Sequence, residues 1–340
     1  RLQMRYIRLP LMGGITADFD VQAAIDACRA IVAEAGTPLD RGYATYLAGI
    51  MMVIGAPPPE TITTFQTARA EFAAAGDDFY VGEAMVWEAN MHVQANDYDQ
   101  GFALFQECLA QREQSGEANG IAWVLLNLGE SMLHRYRFAE AEDYFQQAYA
   151  AMQRIGTVKG VVMTGLQIVT LQSLRGDGEA ALALLEELAS VVQDTYLDGD
   201  FFVDGVRSVF LAVAEDYDRA RALAERGRAI PQRPFHSIKD TSVYWGLNLA
   251  ACGQGDFATV RQNHRNLFWP GHYAEVRAAT VSLTTEAAAL AAEGDYHEAA
   301  ELLGKVFSLP DAVTRWLDDW PLVTRLRQHT RIELPSGRRA

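Results

Sequence analysis

Residues 121–160 read IAWVLLNLGESMLHRYRFAEAEDYFQQAYAAMQRIGTVKG, and this stretch decides the fold. Leu125, Leu128, Gly129 and Met132 follow one another at helical spacing, and Ala141, Phe145 and Ala148 do so again after a break at Tyr136-Arg137-Phe138. Residues three or four apart share one face of a helix, so each set marks an apolar face. Gly129 and Ala141 are small where two helices must cross closely. Phe145 can fill the gap between units, and Phe138 can close the contact between paired helices.

The break recurs. It is found at Asn96-Asp97-Tyr98, Tyr136-Arg137-Phe138, Gly176-Asp177-Gly178, Glu215-Asp216-Tyr217, Gly255-Asp256-Phe257 and Gly294-Asp295-Tyr296, at intervals of 40, 40, 39, 40 and 39 residues. A fixed period of this size marks an array of supersecondary units. Two periods upstream of the clearest unit the same positions hold Gly49, Phe65 and Ala68, with Ala48 in place of Leu128 and Thr61 in place of Ala141. Ala299, Leu303 and Val306 close the series. The units around Gly205 and from Trp245 to Phe268 are degenerate, with Val260 and His264 where the pattern wants alanine and an aromatic. The unit around Phe19 to Ile31 fits least well.

The expected fold is all-α: a right-handed superhelical solenoid of about eight helix pairs, near 1–40, 41–80, 81–120, 121–160, 161–200, 201–240, 241–280 and 281–309. The solenoid spans 1–310, and 311–340 supplies a capping helix (about Asp311 to Ile332) and a tail, since a terminal unit otherwise leaves an apolar face in water. Pro57, Pro58 and Pro59, and later Pro231 and Pro234, read as breaks between helices.

Of 340 residues, 44 are acidic and 29 are lysine or arginine, giving a formal charge of −15. Such a surface disfavours phosphate backbones, so direct nucleic-acid binding is not expected. Arg1, Arg5 and Arg8 at one end, and Arg325, Arg327, Arg331, Arg338 and Arg339 at the other, read as solvated terminal charge. Cys28, Cys108 and Cys252 are far apart and read as buried thiols of a reducing, cytoplasmic compartment. The longest apolar run, Leu47 to Ala56, is too short for a membrane span.

The unit at 121–160 resembles the tetratricopeptide repeat, through Leu128-Gly129 in its first helix and Ala141, Phe145 and Ala148 in its second. Standard units have about 34 residues; the extra six lengthen the helices by nearly a turn each or extend the loops. EQSGEANGIAWVLLNLGE followed by RFAEAEDYFQQA is similar to the repeats of MalT-like sensor domains, and the stretch from Tyr296 to Gly337 is similar to how many bacterial STAND signalling ATPases end. That resemblance implies a longer parent with an N-terminal nucleotide switch and an effector, of which this chain, beginning at Arg1 without methionine, is the sensing arm.

First helices line the concave face of such a solenoid, and the polar and aromatic side chains placed there are the candidate ligand site: Trp87, Asn90 and Gln94; Trp123, Asn127, Glu130 and His134; and Gln167 and Thr170. Glu83, Val86, Val93, Leu126, Leu133, Met163, Leu166, Ser173 and Leu174 complete the stripes. An asparagine amide both donates and accepts, and an indole face stacks on a side chain or ring. Asp204 and Arg207, three apart at nominal core positions, read as a local ion pair or a shift of register. Tyr244 and Trp245, near Asn248, read in part as core.

No HExxH, GxSxG or GxxxxGK[ST] is present; Gly304-Lys305 lacks the preceding glycine and the following hydroxyl. The expected function is therefore a non-enzymatic sensor of a protein, peptide or small-molecule inducer, using no cofactor or metal. The alternative is a free-standing scaffold for protein–protein contacts.

Overall fold

The computed structural model describes residues 21–34, 36–53, 58–192, 199–228, 241–267, 276–309 and 314–330. Sixteen α-helices and one 3-10 helix make up their regular structure, and none of the described residues forms a strand. The helices are α1 (Val21–Glu34), α2 (Pro38–Met52), α3 (Pro58–Ala74), α4 (Asp78–Gln94), α5 (Tyr98–Ser115), α6 (Ala118–His134), α7 (Phe138–Ile155) and α8 (Val158–Leu174). There follow α9 (Gly178–Val192), α10 (Gly199–Val213), α11 (Tyr217–Arg228), α12 (Thr241–Gly253), α13 (Phe257–Leu267), α14 (Val276–Glu293) and α15 (Tyr296–Phe307). The 3-10 helix Arg315–Asp319 and α16 (Pro321–Thr330) end the series. Seven complete pairs run from α2–α3 to α14–α15. The first helix expected before α1, including Phe19, lies outside the described residues, as do Arg1, Arg5, Arg8, Pro57, Pro231, Pro234, Arg331, Arg338 and Arg339.

The period of forty is built from longer helices. α4 has 17 residues and α5 has 18, α6 and α7 repeat those lengths, and the breaks between them are only two or three residues. Backbone geometry explains why the breaks are so regular. Asn96, Tyr136, Gly176, Glu215, Gly255 and Gly294, which open the six breaks, all have positive φ. At the first, Asn96 N–H donates to the Val93 carbonyl at 3.0 Å and Asp97 N–H to the His92 carbonyl at 2.9 Å, satisfying carbonyls that a helix end leaves orphaned. The aspartate then starts the next helix: Asp177, Asp256 and Asp295 accept from Ala180, Thr259 and Glu298 N–H. Gly76, Gly116 and Gly156 do the same for the breaks between successive pairs.

The chain divides into two compact units, an N-terminal one built on Arg1–Arg135 and a C-terminal one built on Tyr136–Ile230 and Ile238–Ala340. In the N-terminal unit, α1 to α6 pack in sequence and α4 also meets α6. Its interior is aromatic: Phe65, Phe72 and Phe105 are buried, and Tyr43 meets Phe72 edge-on at 5.3 Å and Tyr80 at 4.6 Å. Gly49 is there because Phe65 is; a methyl group at Gly49 would lie 2.8 Å from the ring. One charged group interrupts this core. Arg112 of α5, buried, donates to Glu83 of α4 at 2.7 Å, to Glu117 before α6 at 2.8 Å and to Cys108 Sγ at 3.3 Å. Pro58, read from sequence as part of a break, instead opens α3. A first-turn residue needs no N–H partner, so proline fits there.

In the C-terminal unit α7 to α15 pack in sequence, α10 also meets α12, and α12 also meets α14. Phe145, Met152, Leu185 and Leu188 are buried, the last against Gly165, where a methyl group would lie 2.7 Å from it. Asp204 is buried too, bonded to Arg226 and, at 3.5 Å, to Arg207, which also reaches Glu186 at 2.9 Å; the pair read from sequence is part of a four-residue network. Trp245 and Asn248 are both interior. α16 caps α14 and α15, but the closing segment does more than cap. The 3-10 helix meets α8, where the Arg315 side chain lies 3.6 Å from the Cβ position of Gly176. Arg325 donates to Glu215 at 3.1 Å, across 110 residues of chain. Arg327 pairs with Asp318 at 3.5 Å and lies over the Phe307 ring at 5.3 Å. Arg327, half-buried, is thus part of the fold and corrects its reading as solvated terminal charge, whereas Arg325 pairs with Glu215 and stays largely exposed.

Candidate functional site

Glu83, Trp87, Asn90 and Gln94 are spaced four, three and four apart on α4, and Trp123, Asn127, Glu130 and His134 repeat that spacing on α6. Each set therefore occupies one helix face. All eight are half-buried, whereas Met85, Glu88, Ala89 and Met91 of α4 and Leu125, Leu128 and Met132 of α6 are interior. Forty residues apart, Glu83 and Trp123, Trp87 and Asn127, and Asn90 and Glu130 hold equivalent positions on α4 and α6, two helices that meet. Val93, Leu126 and Leu133, expected on the same stripes, are buried.

Local bonds hold the polar groups in place. Asn90 Nδ2 donates to the Val86 carbonyl at 3.0 Å, and Asn127 Nδ2 donates to the Trp123 carbonyl at 2.7 Å. Each amide is tethered to its own helix through one N–H, which fixes the direction of the Oδ1 acceptor and of the second N–H. Trp87 stacks on the buried Phe65 ring at 6.2 Å and 15°, so one indole face belongs to the core. His134 stacks on Tyr98 at 6.4 Å. Burial pushes its pKa down to about 4, so at neutral pH it is uncharged. Glu83 is held by Arg112.

On α8, in the C-terminal unit, Gln167 is half-buried and Thr170 is buried, its hydroxyl donating to the Leu166 carbonyl at 2.9 Å. Ser173 and Leu174 are buried, and Leu166 packs on Ala224, Val243 and Leu247. The α8 stripe is thus more interior than those of α4 and α6.

Sequence reasoning did not find the support beneath the face. Glu88, buried at a position that holds leucine in α6, accepts from Gln66 at 3.1 Å and pairs with Arg69 at 3.2 Å. Its signal was available, as a charged residue in the core register. A separate depression of about 220 Å³ lies among Arg29, Val32, Thr45, Ala48, Met52, Thr63, Thr64 and Thr67. The Thr63, Thr64 and Thr67 hydroxyls donate to carbonyls four residues back, leaving methyl groups to line it. Among the described residues no three His, Cys, Asp or Glu converge as a metal site, and no helix is long and apolar enough to cross a membrane.

A tetratricopeptide-repeat family model matches residues 80–154. No curated protein shows a significant sequence match to this chain. Among solved structures, the apo form of the quorum sensor NprR from B. thuringiensis aligns with a TM-score of 0.51 at 9% identity, covering 92% of this chain and 98% of that one. Yeast Tom70 aligns with a TM-score of 0.50 at 12% identity, and 92% of this chain corresponds to 60% of the Tom70 chain. At such identities the likeness speaks to fold. Together with the paired helices and their repeated turns, it makes this chain a tetratricopeptide-like, all-helical repeat domain.

Proposed function

We propose that the α4–α6 face binds an extended protein or peptide segment, and that the chain is the recognition arm of a STAND-type signalling protein, without catalysis or a cofactor of its own. One observation carries the binding reading: two successive first helices each present an indole, an asparagine amide and a carboxylate on one half-buried face, in a different order on each, with both asparagine amides tethered to their own helix. A peptide unit offers one donor and one acceptor, and a tethered asparagine amide can meet both without losing rotamer freedom on binding. Groups held on rigid helices suit recognition better than groups on loops.

The signalling context rests on the resemblance of the 113–148 and 296–337 stretches to MalT-like sensors and the STAND proteins that carry them. A cytoplasmic setting is supported by Cys28, Cys108 and Cys252, all buried and unpaired, with burial raising the Cys28 and Cys252 pKa values to about 11 and about 12. The binding reading is tested by Asn127→Ala in the full chain, with partners captured from a peptide array. Loss of at least tenfold in affinity for captured peptides is expected; unchanged capture would end it. The signalling reading is tested by the reading frame upstream of Arg1: a phosphate-loop switch domain is expected, and an initiation codon next to Arg1 would instead leave the scaffold alternative.

A further inference from the structure

We propose that the depression among α1, α2 and α3 is a second binding site, for a small uncharged apolar molecule of about six to ten non-hydrogen atoms. It lies apart from the α4–α6 face and does not rest on the peptide-binding reading. Its volume is about 220 Å³, and Val32 of α1, Thr45 and Ala48 of α2 and Thr64 of α3 form much of its wall. The repeat shows what these four positions hold elsewhere. Forty residues on they are Phe72, Met85, Glu88 and Leu104, and forty further Arg112, Leu125, Leu128 and Tyr144. Each is larger than its counterpart around the depression, and all but Tyr144 are buried. In the next groove the Glu88 side chain takes the space and pairs with Arg69 at 3.2 Å. Arg29 is the counterpart of Arg69. With Ala48 where Glu88 would stand, Arg29 pairs instead with the exposed Glu60 at 3.2 Å and Asp26 at 3.9 Å. Four reductions in side-chain size thus meet around one space, which the following units fill from within.

The wall sets the chemistry of the occupant. The Thr63, Thr64 and Thr67 hydroxyl hydrogens go to the Pro59, Glu60 and Thr63 carbonyls, so these residues offer methyl groups. Val32, Ala48 and Met52 add more apolar surface. Met52, buried and unbranched, can adjust to the shape of a ligand. Water in such a space finds few partners, and replacing weakly held water by an apolar group is favourable. The Arg29 charge is already met by two carboxylates, so the wall calls for no charged ligand. An apolar cavity of about 150 Å³ accepts a benzene-sized ring, and 220 Å³ suits a somewhat larger one. The border favours a small molecule over a docked protein. Arg29, Glu60, Thr63 and Thr67 around it are exposed and polar. A protein interface would need about 800 Å² on this side, with a core poor in charge.

The test titrates the full chain with indole and, as a polar ring of similar size, with glucose, followed by ligand-detected NMR. Indole is expected to saturate one site with a dissociation constant below about 5 mM, and glucose not to bind. Ala48→Leu installs the side chain found at the equivalent position of α6 and is expected to weaken indole at least tenfold. Thr64→Leu narrows the space from its half-exposed wall, where the next unit has Leu104, and is expected to weaken indole at least threefold even if Ala48→Leu disturbs the fold. Ala110→Leu adds similar bulk on the exposed side of α5 and is expected to change binding less than twofold. Absence of indole binding, or binding that neither Ala48→Leu nor Thr64→Leu weakens, overturns the proposal, as does glucose binding as tightly as indole. A capped Ser-Trp-Ser peptide carries the same indole on a protein chain and is expected to bind more weakly than indole itself. Binding at least tenfold tighter than indole, and lost in Ala48→Leu, would assign the space to a partner's side chain and overturn the small-molecule reading.

Discussion

The two units share one period but differ at two polar residues that their first helices bury, Glu88 and Asn248. Eight residues before each break, at the position of Leu128, the N-terminal unit also holds Glu88 and the C-terminal unit holds Ile168, Arg207, Leu247 and Glu286; Arg207 and Glu286 are half-buried and the others interior. Glu88 is answered by Gln66 and Arg69 from α3. Asn248 is interior with neither amide atom bonded. The neighbouring helix, then, decides whether a polar residue buried on a first helix stabilises or strains the core. The C-terminal unit has a further device that the N-terminal one lacks among its described residues, a closing segment laid over its earlier turns.

The largest test of this contrast removes that segment. Ending the chain after Leu309 exposes what Trp316, Leu317, Trp320 and Val323, all buried, now cover. At about 2 kcal/mol per large apolar side chain, the C-terminal unit is expected to lose at least about 4 kcal/mol. Hydrogen exchange should show lost protection in α8, α10 and α14 but not in α2 to α5; equal loss in both groups would erase the distinction. Next come two substitutions of buried polar residues on first helices, with opposite signs. Glu88→Ala strands Arg69 and Gln66 and is expected to cost about 2 kcal/mol in urea unfolding. Asn248→Ala removes an unsatisfied amide and is expected to gain about 1 kcal/mol, the residual space being small. If both destabilise alike, burial and not partnering governs these two residues.

A smaller effect is expected at the breaks. Tyr136 adopts positive φ (58°) where three sister breaks use glycine. Tyr136→Gly is expected to raise the melting midpoint, by about 1 kcal/mol of stability. The smallest effect is a pH dependence. Burial holds His134 below its ordinary value, near 4, so the unfolded chain takes up the proton first. Stability from this group is complete above pH 6.5 and declines as pH falls towards 4, with less than about 1 kcal/mol lost between pH 7 and pH 6. His134→Gln should flatten that part of the profile.

Much of the architecture could be read from short-range signals. Each sequence break falls on a positive-φ residue because three-residue turns between long helices admit few backbone solutions, and Gly49 opposite Phe65 follows from steric size alone. Pro58 was misplaced because proline marks a helix start as readily as a break. Arg327 was misread because its contacts, Asp318 and the Phe307 ring, depend on how the closing segment folds back, which no local pattern encodes. The α4 and α6 stripes could be drawn from spacing, but not how far each side chain stands clear of the core. That depends on Phe65 taking one face of Trp87, and on Val93, Leu126 and Leu133 turning inward.

The long reach of Arg325 bears on how the chain comes together. In a plain repeat array each unit touches only its neighbours, so folding can spread from any point and part of the array can open without the rest. Here the 315–330 segment packs on α14 and α15 and also reaches the Gly176 and Glu215 turns. That closure joins turns a plain array leaves independent, so α8, α10 and α14 should open together.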